Sequence, residues 1–597
     1  MIKLSDFVFK RLVEHGIKDV FMITGGGAMH LNDSIGKNKK IKYICNHHEQ
    51  ASAIAAEGYY RASGKMCAVC VTTGPGGTNT LTGVIGQWLD SIPCIYISGQ
   101  VKTSTLVDTY GNKNLRQIGD QEINIIDIVK PVTKYSVSLR NPNDIKYHID
   151  KAIKIATTPR YGPVWIDIPL DIQGSIINED ELKEYNPDED NIEIMNEDQL
   201  DSLLNEIINR INNSRSPLVV AGHGIRLSNS VSDFLKLVNR LNLPVVTTFN
   251  GFDLLPSFHP NFVGRVGTVG TRSGNFAVQN ADLIIFLGTR NNIRQISYNW
   301  NDFAKKSFKI IVDIDENELT KPTIKPDIPV KTDVGIFIKK LNKKLESHRL
   351  DKKFDLWLNW CIDKRNKYPV VLEEYKKKKG KVNPYNFIEK LTKISNDKIF
   401  VAGNGSACVC LFQAGIVKEG QRMFWNSGCA SMGYDLPAAI GAAVATKKPV
   451  VCVAGDGSIM MNLQELATMR YYKLPIKLFI LNNDGYISIK QTQDNFFGRR
   501  YGCDPKTGVN FPDFKKLAFS FGIKYFKILY NLDIEKELKR ILKNKMFICE
   551  VVLEDNYKFA PKVSSEKLKD GTIISKPLED MWPFLDRKEF EKNIFVT

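Results

Sequence analysis

Short apolar runs alternate with amphipathic stretches along most of this chain, and the alternation falls into three blocks. The runs are three to six residues long, which is the length of a buried strand. They lie at 20–23, 68–72, 94–98 and 164–168 in the first block, at 217–222, 244–247, 283–287 and 309–313 in the second, and at 399–401, 450–454, 477–481 and 548–553 in the third. Because the intervening segments are long enough for helical crossovers, the pattern predicts parallel sheets covered by helices.

The three blocks predict three α/β domains, each a doubly wound parallel sheet, over residues 1–172, 190–345 and 380–560, with a tail at 561–597. The length of 597 residues agrees with several domains, because single cores stop growing at about 250–300 residues. Residues 178–197 are acidic and polar and predict a linker. The lysine-rich stretch 339–381 predicts a helical, solvated connection.

Composition changes this picture little. Hydrophobic residues make up 43% and charged residues 25% of the chain, as in ordinary soluble globular proteins. The formal net charge of +16 comes mostly from scattered lysines. We find no nucleic-acid-binding motif and no basic run interleaved with aromatic residues, so we expect a lysine-rich surface and no nucleic-acid partner. An anionic substrate such as a nucleotide-linked sugar would also suit the charge.

The amino terminus and the cysteines favour the cytoplasm. The first ten residues lack the apolar core of a signal peptide, and no stretch reaches the roughly 20 apolar residues of a membrane span, so we expect no membrane partner. The 11 cysteines are odd in number and irregularly spaced, which does not suggest a disulfide framework. Cys67 and Cys70 lie in an apolar run, and no second pair completes a zinc site, so we expect buried thiols.

The strongest chemical signal is in the third block. An apolar run leads into Gly-Asp-Gly-Ser at 455–458, and the next run ends at Asn483, 27 residues after Asp456. One strand–helix–strand crossover fits this spacing and places both residues at the carboxyl ends of neighbouring parallel strands, where ligands bind. Their oxygens suit a Mg²⁺ ion that also binds a diphosphate, and Gly457 and Ser458 would offer free N–H groups to the anion. Read alone, the Gly-Asp-Gly sequence is equally compatible with a turn capped by Asp456.

This sequence, followed by a helix, an apolar strand and the asparagine pair 482–483, resembles the signature of thiamine diphosphate-dependent enzymes. Three more segments resemble motifs of that family: the glutamate motif at 48–61, the GPG-x-TN loop at 74–79 and the loop that supports the bent cofactor at 428–437. The resemblance covers nearly the whole chain, in the order pyrimidine-binding, central and diphosphate-binding domain. It is strongest to the acetolactate synthase (acetohydroxyacid synthase) large-subunit group.

The resemblance implies thiamine diphosphate and Mg²⁺ as cofactors. Glu49 would promote the proton transfer that activates the thiazolium carbon, and Gln121 would lie near that carbon. The metal ligands would be Asp456, Asn483 and Gly485. The contacts to the cofactor would come from residues at the strand ends: Gly405, Ser406, Ala407, Ser431, Met432, Gly455, Asp456, Gly457, Ser458, Asn483, Gly485 and Tyr486.

Several of these residues also have a simpler interpretation. His30 and His48 would move protons at neutral pH in a catalytic role, but a lone histidine is at least as often structural. Glu49 read alone is an acidic residue at a helix start. Met432, which would hold the cofactor bent, read alone fills a gap in a core.

Three positions depart from the acetolactate synthase pattern. Leu170 stands where that group usually has lysine, Thr492 where it has tryptophan and Asp120 where it has phenylalanine. A small polar residue in place of tryptophan leaves a wider and wetter pocket. The departures therefore favour a larger, hydroxylated acceptor.

The middle block raises the question of a flavin. Residues 264–275, 287–290 and 313–315 resemble segments that contact FAD in the flavin-binding members. The usual Arg-Phe-Asp-Asp-Arg is replaced by Arg-Asn-Asn-Ile-Arg at 290–294, so the sequence leaves FAD binding open.

Together these features predict a carboligase that decarboxylates a 2-oxo acid, pyruvate by the resemblance, and transfers the two-carbon unit to a carbonyl acceptor. The alternatives are a non-ligating decarboxylase or a dione hydrolase on the same scaffold, or a carboligase for a keto-sugar. A regulatory binding protein is disfavoured, because Glu49, Asp456 and Asn483 are all present. The family implies a homodimer or homotetramer with sites between subunits, and the sequence does not tell whether a regulatory subunit exists.

Overall fold

The computed structural model describes residues 1–111, 114–190, 195–347, 350, 353–555, 557–567 and 570–595. In this part of the chain each sequence block forms one six-stranded sheet, and neighbouring strands within the three sheets are parallel. The prediction of three doubly wound parallel-sheet domains is confirmed. Among the helices of the same residues, none combines the length and the apolar character needed to cross a bilayer.

The first sheet has the strand order β3-β2-β4-β5-β7-β6. The strands of this part are β1 (Ile2–Lys3), β2 (Asp19–Met22), β3 (Lys42–Cys45), β4 (Ala68–Val71), β5 (Cys94–Gln100), β6 (Tyr135–Ser138), β7 (Pro163–Pro169) and β8 (Ile176–Ile177), of which β1 and β8 form a separate antiparallel pair. The helices are α1 (Leu4–Glu14), α2 (Met29–Lys37), α3 (Glu49–Ser63), α4 (Pro75–Thr78), α5 (Leu81–Asp90), α6 (Ile125–Val129), α7 (Ile145–Thr157) and α8 (Leu170–Gly174).

The second sheet has the order β11-β10-β9-β12-β13-β14. Its strands are β9 (Pro217–Ala221), β10 (Val245–Thr247), β11 (Phe262–Arg265), β12 (Leu283–Leu287), β13 (Phe308–Asp313) and β14 (Ile328–Lys331). The helices around it are α9 (Glu197–Asn213), α10 (Gly224–Leu227), α11 (Val231–Leu241), α12 (Arg272–Asn280), α13 (Ile293–Ile296), α14 (Glu316–Thr320) and α15 (Val334–Ser347), and α16 (Asp355–Lys367) and α17 (Glu373–Lys377) follow.

The third sheet has the order β16-β15-β17-β18-β20-β19. Its strands are β15 (Ile399–Ala402), β16 (Arg422–Phe424), β17 (Val450–Gly455), β18 (Ile476–Asn482), β19 (Tyr525–Ile528) and β20 (Phe547–Val552). Its helices are α18 (Pro384–Ile394), α19 (Ser406–Ala414), α20 (Asp435–Thr446), α21 (Asp456–Ile459), α22 (Glu465–Tyr471), α23 (Ile487–Phe497), α24 (Phe514–Ser520) and α25 (Ile534–Ile541).

The first and third sheets are joined through helices α3 and α20, which pack at very short range. A Cβ atom on Gly441 would lie 1.8 Å from the Ala55 carbonyl oxygen, and one on Gly58 would lie 2.2 Å from the Ala438 carbonyl oxygen. Only glycine permits this approach, and the flanking alanines keep the interface flat. The close packing fixes the two candidate cofactor-binding domains against each other within one chain.

A buried charge network crosses the same interface. Arg61 contacts Glu57 and Asp90 at 2.7 Å each, and Arg290 of the second domain contacts Asp90 at 2.9 Å. Tyr434 donates to the Glu57 carboxylate at 3.1 Å. Burial raises the pKa of the Glu57 carboxyl, while the Arg61 guanidinium lowers it. Breaking one partner of such a network leaves an uncompensated buried charge, so the network holds the three domains in one arrangement.

The lysine-rich connection is less solvated than the sequence predicts. Helix α16 buries Trp357 and Cys361, and the Trp357 indole N–H donates to the Pro217 carbonyl at 2.9 Å. The tail packs on the same side of the second domain: its strands β21 (Lys562–Val563) and β24 (Met581–Trp582) pair with each other, as do β22 (Ser565–Lys567) and β23 (Ile573–Ser575), before α26 (Arg587–Glu591). The lysine content of this stretch therefore indicated only the exposed face of α16. The other face is buried through Trp357 and Cys361.

Candidate active site

The candidate metal site lies where β17 and β18 end. Asp456 follows β17 directly, and its Oδ2 accepts the backbone N–H groups of Asn483 at 3.0 Å and Gly485 at 3.1 Å. Its Oδ1 accepts the N–H of Gly457 at 2.8 Å. The structure therefore brings Asp456 and Asn483 together, as the spacing predicts, and Gly485, which the family resemblance implies as a third ligand, lies beside them. Burial raises the pKa of the Asp456 carboxyl to about 6, against the lowering effect of these three N–H groups.

Asn483 supplies the second oxygen at this point. The residue is 4% exposed, and its Oδ1 is buried without a hydrogen-bond partner among the described residues. A buried amide oxygen in that state costs free energy unless a cation or a water satisfies it. A carboxylate and an unpaired amide oxygen side by side fit the hard oxygen ligands of Mg²⁺.

The loop after Asn483 is held in a shape that few residues allow. Gly485 has φ +144°, and a Cβ atom there would lie 2.2 Å from the Cys503 carbonyl oxygen. Lys490 on α23 is buried and donates to the carbonyl oxygens of Asn483 at 3.2 Å and Asp484 at 2.8 Å. The sequence did not single out Lys490, although its position at the start of the helix after the loop was a usable signal.

Ser458 links the strand-end segment 455–458 to the loop 428–437, which carries Met432. Its Oγ donates to Asp435 at 2.5 Å and accepts the Gly433 N–H at 2.9 Å. Burial raises the pKa of the Asp435 carboxyl to about 6. On the other side of this loop, Asn404 donates to the Ser431 carbonyl at 2.8 Å. These bonds fix both ends of the segment that carries Met432.

Met432 itself is 37% exposed. Met432 therefore does not fill a gap in the core of this chain, which was its simpler interpretation. Met461 is also exposed and lies beside the same loop, since a Cβ atom on Gly433 would lie 2.5 Å from the Met461 Cβ. Both exposed methionines therefore lie next to Gly433, at the edge of the candidate site.

The remaining predicted contacts of the third domain lie at helix starts. Gly455 caps the short helix α21, and Gly405, with φ +95°, precedes the nine-residue helix α19, which begins with Ser406 and Ala407. Ser406 is fixed by Tyr557, whose hydroxyl donates to its Oγ at 2.6 Å. Tyr557 lies 151 residues away in sequence, so no local pattern could have indicated it.

Tyr486 lies beside the candidate metal site. Its N–H donates to the Cys503 carbonyl at 2.9 Å, and its ring packs edge-on against Phe511 with centroids 6.2 Å apart. The ring is therefore held next to Gly457, where a Cβ atom would be 2.2 Å from it.

Glu49 opens helix α3 in the first domain. Its Oε2 accepts the Asn79 side-chain amide at 3.0 Å, so the glutamate motif and the GPG-x-TN loop meet in the structure. His48 precedes it as the helix cap, and its Nδ1 accepts the Gln50 N–H at 3.1 Å. This contact requires an unprotonated Nδ1 and gives His48 a structural role at the helix start. Asn79 was part of a predicted motif, but its contact with Glu49 was not predicted.

Gln121 and His30 lie at other points of the same sheet edge. Gln121 is exposed, and its carbonyl oxygen would be 2.5 Å from a Cβ atom on Gly74 of the GPG-x-TN loop. His30 is half-buried on α2 and packs on α8, with Nε2 3.0 Å from where a Cβ atom on Gly174 would lie. His30 therefore borders the helix that Leu170 begins.

Within one chain, the start of α3 contacts the third domain through Gln50 and the residues just before the helix. Asn462 of the third domain donates to Gln50 Oε1 at 3.0 Å and to the Gly433 carbonyl at 2.8 Å. Glu465 accepts the Asn46 side chain and the His47 N–H at 2.8 Å each. These bonds hold the start of α3 against the third domain.

A pocket opens where the three domains meet. Its walls include Gly288, Thr289, Arg290 and Asp313, which belong to the segments predicted to contact a flavin, whereas none of residues 264–275 lines it. Burial raises the pKa of the Asp313 carboxyl to about 6. The first domain contributes Arg160, which contacts Asp315 at 2.9 Å.

Comparison with known proteins agrees with this geometry. Residues 2–125, 204–341 and 403–551 match, in that order, the N-terminal TPP binding domain, the central domain and the C-terminal TPP binding domain of thiamine pyrophosphate enzymes. Thiamine pyrophosphate is another name for thiamine diphosphate. The acetolactate synthase large subunit of Lactococcus lactis subsp. lactis is 31% identical over 573 residues, which are 95% of this chain and 96% of the relative.

The chain belongs to the thiamine pyrophosphate enzyme family. Its other relatives include the acetolactate synthase large subunit of Buchnera aphidicola subsp. Schizaphis graminum, 30% identical over 98% of this chain and 99% of the relative. That of Cyanidium caldarium is 30% identical over 93% and 94%. This protein is therefore a thiamine pyrophosphate-dependent enzyme of the acetolactate synthase-like group, and the resemblance stated from its motifs is confirmed.

Proposed function

We propose that this thiamine pyrophosphate enzyme decarboxylates pyruvate and joins the two-carbon unit to a carbonyl acceptor. The observation that carries the proposal is the pairing of the Asp456 carboxylate with the unpartnered, buried Oδ1 of Asn483 at the ends of two parallel strands. The names of the full-length relatives support pyruvate as the donor. When bound, thiamine diphosphate supplies the electron sink that decarboxylation of a 2-oxo acid requires.

The chain's own groups would divide the work between the two domains. Asp456, Asn483 and the carbonyl oxygen of Gly485 would hold Mg²⁺, and the N–H groups at the starts of α19 and α21 would face the diphosphate. Glu49 would exchange a proton with the pyrimidine ring, and Asn79, at 3.0 Å, would hold its carboxylate in place. His48 would act through the helix cap that positions Glu49.

The active sites would form between two copies of the chain, in a homodimer or homotetramer. The exposed Met432 and Met461 support this, because exposed apolar side chains beside the candidate site are suited to burial against a second copy. In this arrangement Glu49 of one copy would face Asp456 of the other.

The acceptor pocket would lie beside Thr492. Thr492 is exposed on α23, and its hydroxyl is bonded to the Ser488 carbonyl at 2.9 Å, so it adds little apolar surface. Two neighbouring aromatic residues could fill the space of the missing tryptophan, but Tyr486 is held against Phe511 and Phe496 is exposed. These contacts support an open acceptor pocket, which fits a bulkier or hydroxylated carbonyl compound better than a second pyruvate.

The cavity between the domains would bind a nucleotide, with FAD as the first compound to test. Its polar wall of Thr289, Arg290, Asn291 and Asp313 suits ribose and phosphate groups. Purified protein that releases a fluorescent flavin on denaturation would support FAD. Protein that carries no flavin and gains none on incubation would exclude it.

The test of the function is a product analysis. Purified protein is incubated with thiamine diphosphate, Mg²⁺ and pyruvate, alone and with keto-sugar or 2-oxo acid acceptors, and the products are identified by mass spectrometry. We expect CO₂ together with a product that is two carbons longer than the acceptor. Release of acetaldehyde without a longer product would favour a simple decarboxylase, and no pyruvate consumption would refute the proposal.

A further inference from the structure

Gln121 lies in a long connection between β5 and α6 that contains only short turns of helix in its described part. Its φ of +62° is a left-handed conformation that non-glycine residues seldom adopt without support from their surroundings. Its carbonyl oxygen lies against Gly74. This conformation therefore requires a side chain of the sheet that holds the connection around Gln121 in a defined position.

Gln100, the last residue of β5, makes that attachment. It is 2% exposed, and its Nε2 donates to the Ile123 carbonyl at 2.9 Å and to Asp167 Oδ2 at 3.2 Å. Its Oε1 accepts the Thr73 hydroxyl at 2.7 Å and the Val101 N–H at 3.0 Å. All four hydrogen-bonding positions of the amide are filled, and a flip of the amide would set its oxygen against the Ile123 carbonyl and the Asp167 carboxylate and its NH₂ group against the Val101 N–H.

The partners of Gln100 flank the two segments that meet at Gln121. Thr73 directly precedes Gly74, and Ile123 follows Gln121 by two residues. The neighbouring Glu122 makes its contacts within the connection between β5 and α6. Its carboxylate accepts the N–H groups of Val107 at 2.6 Å, Ile118 at 2.9 Å and Gly119 at 3.0 Å. The buried side-chain amide of Gln100 thus joins three parts of the first domain: the GPG-x-TN loop that begins at Gly74 (the Gly74 loop), the connection that contains Gln121, and the end of β5.

Asp167 fixes the donor side of this amide. It is 2% exposed within β7, and its Oδ1 accepts the Ser98 hydroxyl at 2.5 Å. Ser98 in turn accepts the Trp165 indole N–H at 2.8 Å. Each group in this series of hydrogen bonds, from Trp165 through Ser98 and Asp167 to Gln100, has one available orientation. The Gln100 side chain is therefore held rigidly.

We propose that Gln100 is a positioning residue that holds Gln121 against the Gly74 loop and thereby places it for the carboligation reaction. The inference rests on the proposed function, together with the location of Gln121 near the reactive carbon that the family resemblance implies. Gln100 would not touch the substrate.

The first test measures position without activity. Gln100→Glu keeps the size and still accepts from Thr73 and Val101, but it cannot donate to Ile123 and it faces the Asp167 carboxylate. The matched control is Gln87→Glu, a buried glutamine of the same domain whose Nε2 donates to the Ala53 carbonyl at 2.8 Å. Hydrogen exchange of a peptide covering 118–124 should become at least about tenfold faster in Gln100→Glu and stay at the wild-type rate in the control. Wild-type exchange in Gln100→Glu would overturn the proposal.

The second test is a double-mutant cycle with Gln121→Ala. We expect Gln100→Glu to lower kcat/KM by about 100-fold, the usual order for a displaced catalytic group, and the double variant to be about as active as Gln121→Ala alone. Losses that multiply would show that Gln100 acts independently of Gln121 and would overturn the proposal. If Gln121→Ala keeps full activity, the catalytic role of Gln121 that the family resemblance implies is wrong, and the exchange experiment still decides whether Gln100 is the anchor.

Discussion

The backbone N–H of Asn483 donates to the Asp456 carboxylate at 3.0 Å, which locks the ends of two neighbouring parallel strands into one unit. The side-chain oxygen of Asn483 is buried and has no hydrogen-bond partner among the described residues. The backbone of Asn483 thus stabilises the fold at this point, and its amide oxygen is the group that we propose binds Mg²⁺.

Glu49→Gln should leave cofactor binding intact and remove the proton transfer. The amide keeps the size of the side chain and its contact with Asn79, but it does not titrate. Exchange of the thiazolium C2 proton, followed by NMR, should slow by about 10²–10⁴-fold, the usual contribution of a positioned acid or base. An exchange rate equal to that of the wild type would show that another group activates the carbon.

Asp167→Asn should change how stability depends on pH. Burial raises the pKa of the Asp167 carboxyl to about 7, above the value of about 3.9 expected in the unfolded chain. The protonated folded form is therefore favoured below about pH 4, and this advantage is lost as the pH rises to 7, by about 1.4 kcal/mol per pH unit.

The measurement is the difference in Tm between Asp167→Asn and the wild type at several pH values. The variant should gain relative to the wild type from pH 5 to pH 7 and hold a constant difference above that. The same substitution at the exposed Asp33, whose carboxyl pKa is lowered by hydrogen bonds from Lys3 and Lys37, should give a difference that does not vary in this range. A flat difference for Asp167→Asn would mean that its carboxyl is already ionised at pH 5.

The sequence located the centre of each sheet and missed its edges. In all three sheets the four inner strands correspond to predicted apolar runs, whereas the outer strands β3 and β6, β11 and β14, and β16 and β19 were not predicted. Inner strands of parallel sheets are covered on both faces and read as continuous apolar runs. Outer strands are shorter and mixed, as in the sequences Lys-Tyr-Ile-Cys of β3 and Tyr-Ser-Val-Ser of β6.

The same distinction applies to the candidate site. Asp456 and Asn483 could be placed together from sequence, because one crossover fixes which strand ends are neighbours. The contacts of Tyr557 with Ser406 and of Asn462 with Gln50 could not, because they join residues 151 and 412 positions apart that only tertiary packing brings together.

Thr492→Trp tests the acceptor pocket. We expect the wild type to consume pyruvate but to form little acetolactate, and the variant to form tens-fold more, since a large aromatic contact contributes on the order of 2 kcal/mol. Acetolactate is measured as acetoin by the colorimetric assay after acid treatment, beside total pyruvate consumption. Thr492→Val, which removes the hydroxyl without adding a ring, should give no gain. Wild-type acetolactate turnover near 10 per second would contradict the open-pocket account.

Mixing two inactive variants tests whether the sites form between subunits. Glu49→Gln and Asp456→Ala are co-expressed with different tags, and the mixed dimer is isolated beside each parent. If Glu49 of one copy works with Asp456 of the other, every mixed dimer contains one intact site and should show about half of the wild-type activity. A mixed dimer as inactive as its parents would place both residues in a site within one chain.

The affinity of Asp456→Ala for thiamine diphosphate in the presence of Mg²⁺, measured by titration calorimetry, tests the central claim most directly. Loss of residues around a metal ligand costs about 10–100-fold, so loss of the ligand itself should weaken binding by about 100-fold or more. Asp484→Asn, which removes the neighbouring exposed carboxylate, is the matched control and should bind as the wild type does. Unchanged affinity in Asp456→Ala, with the same unfolding profile as the wild type, would contradict the assignment of this strand end as the cofactor and metal site.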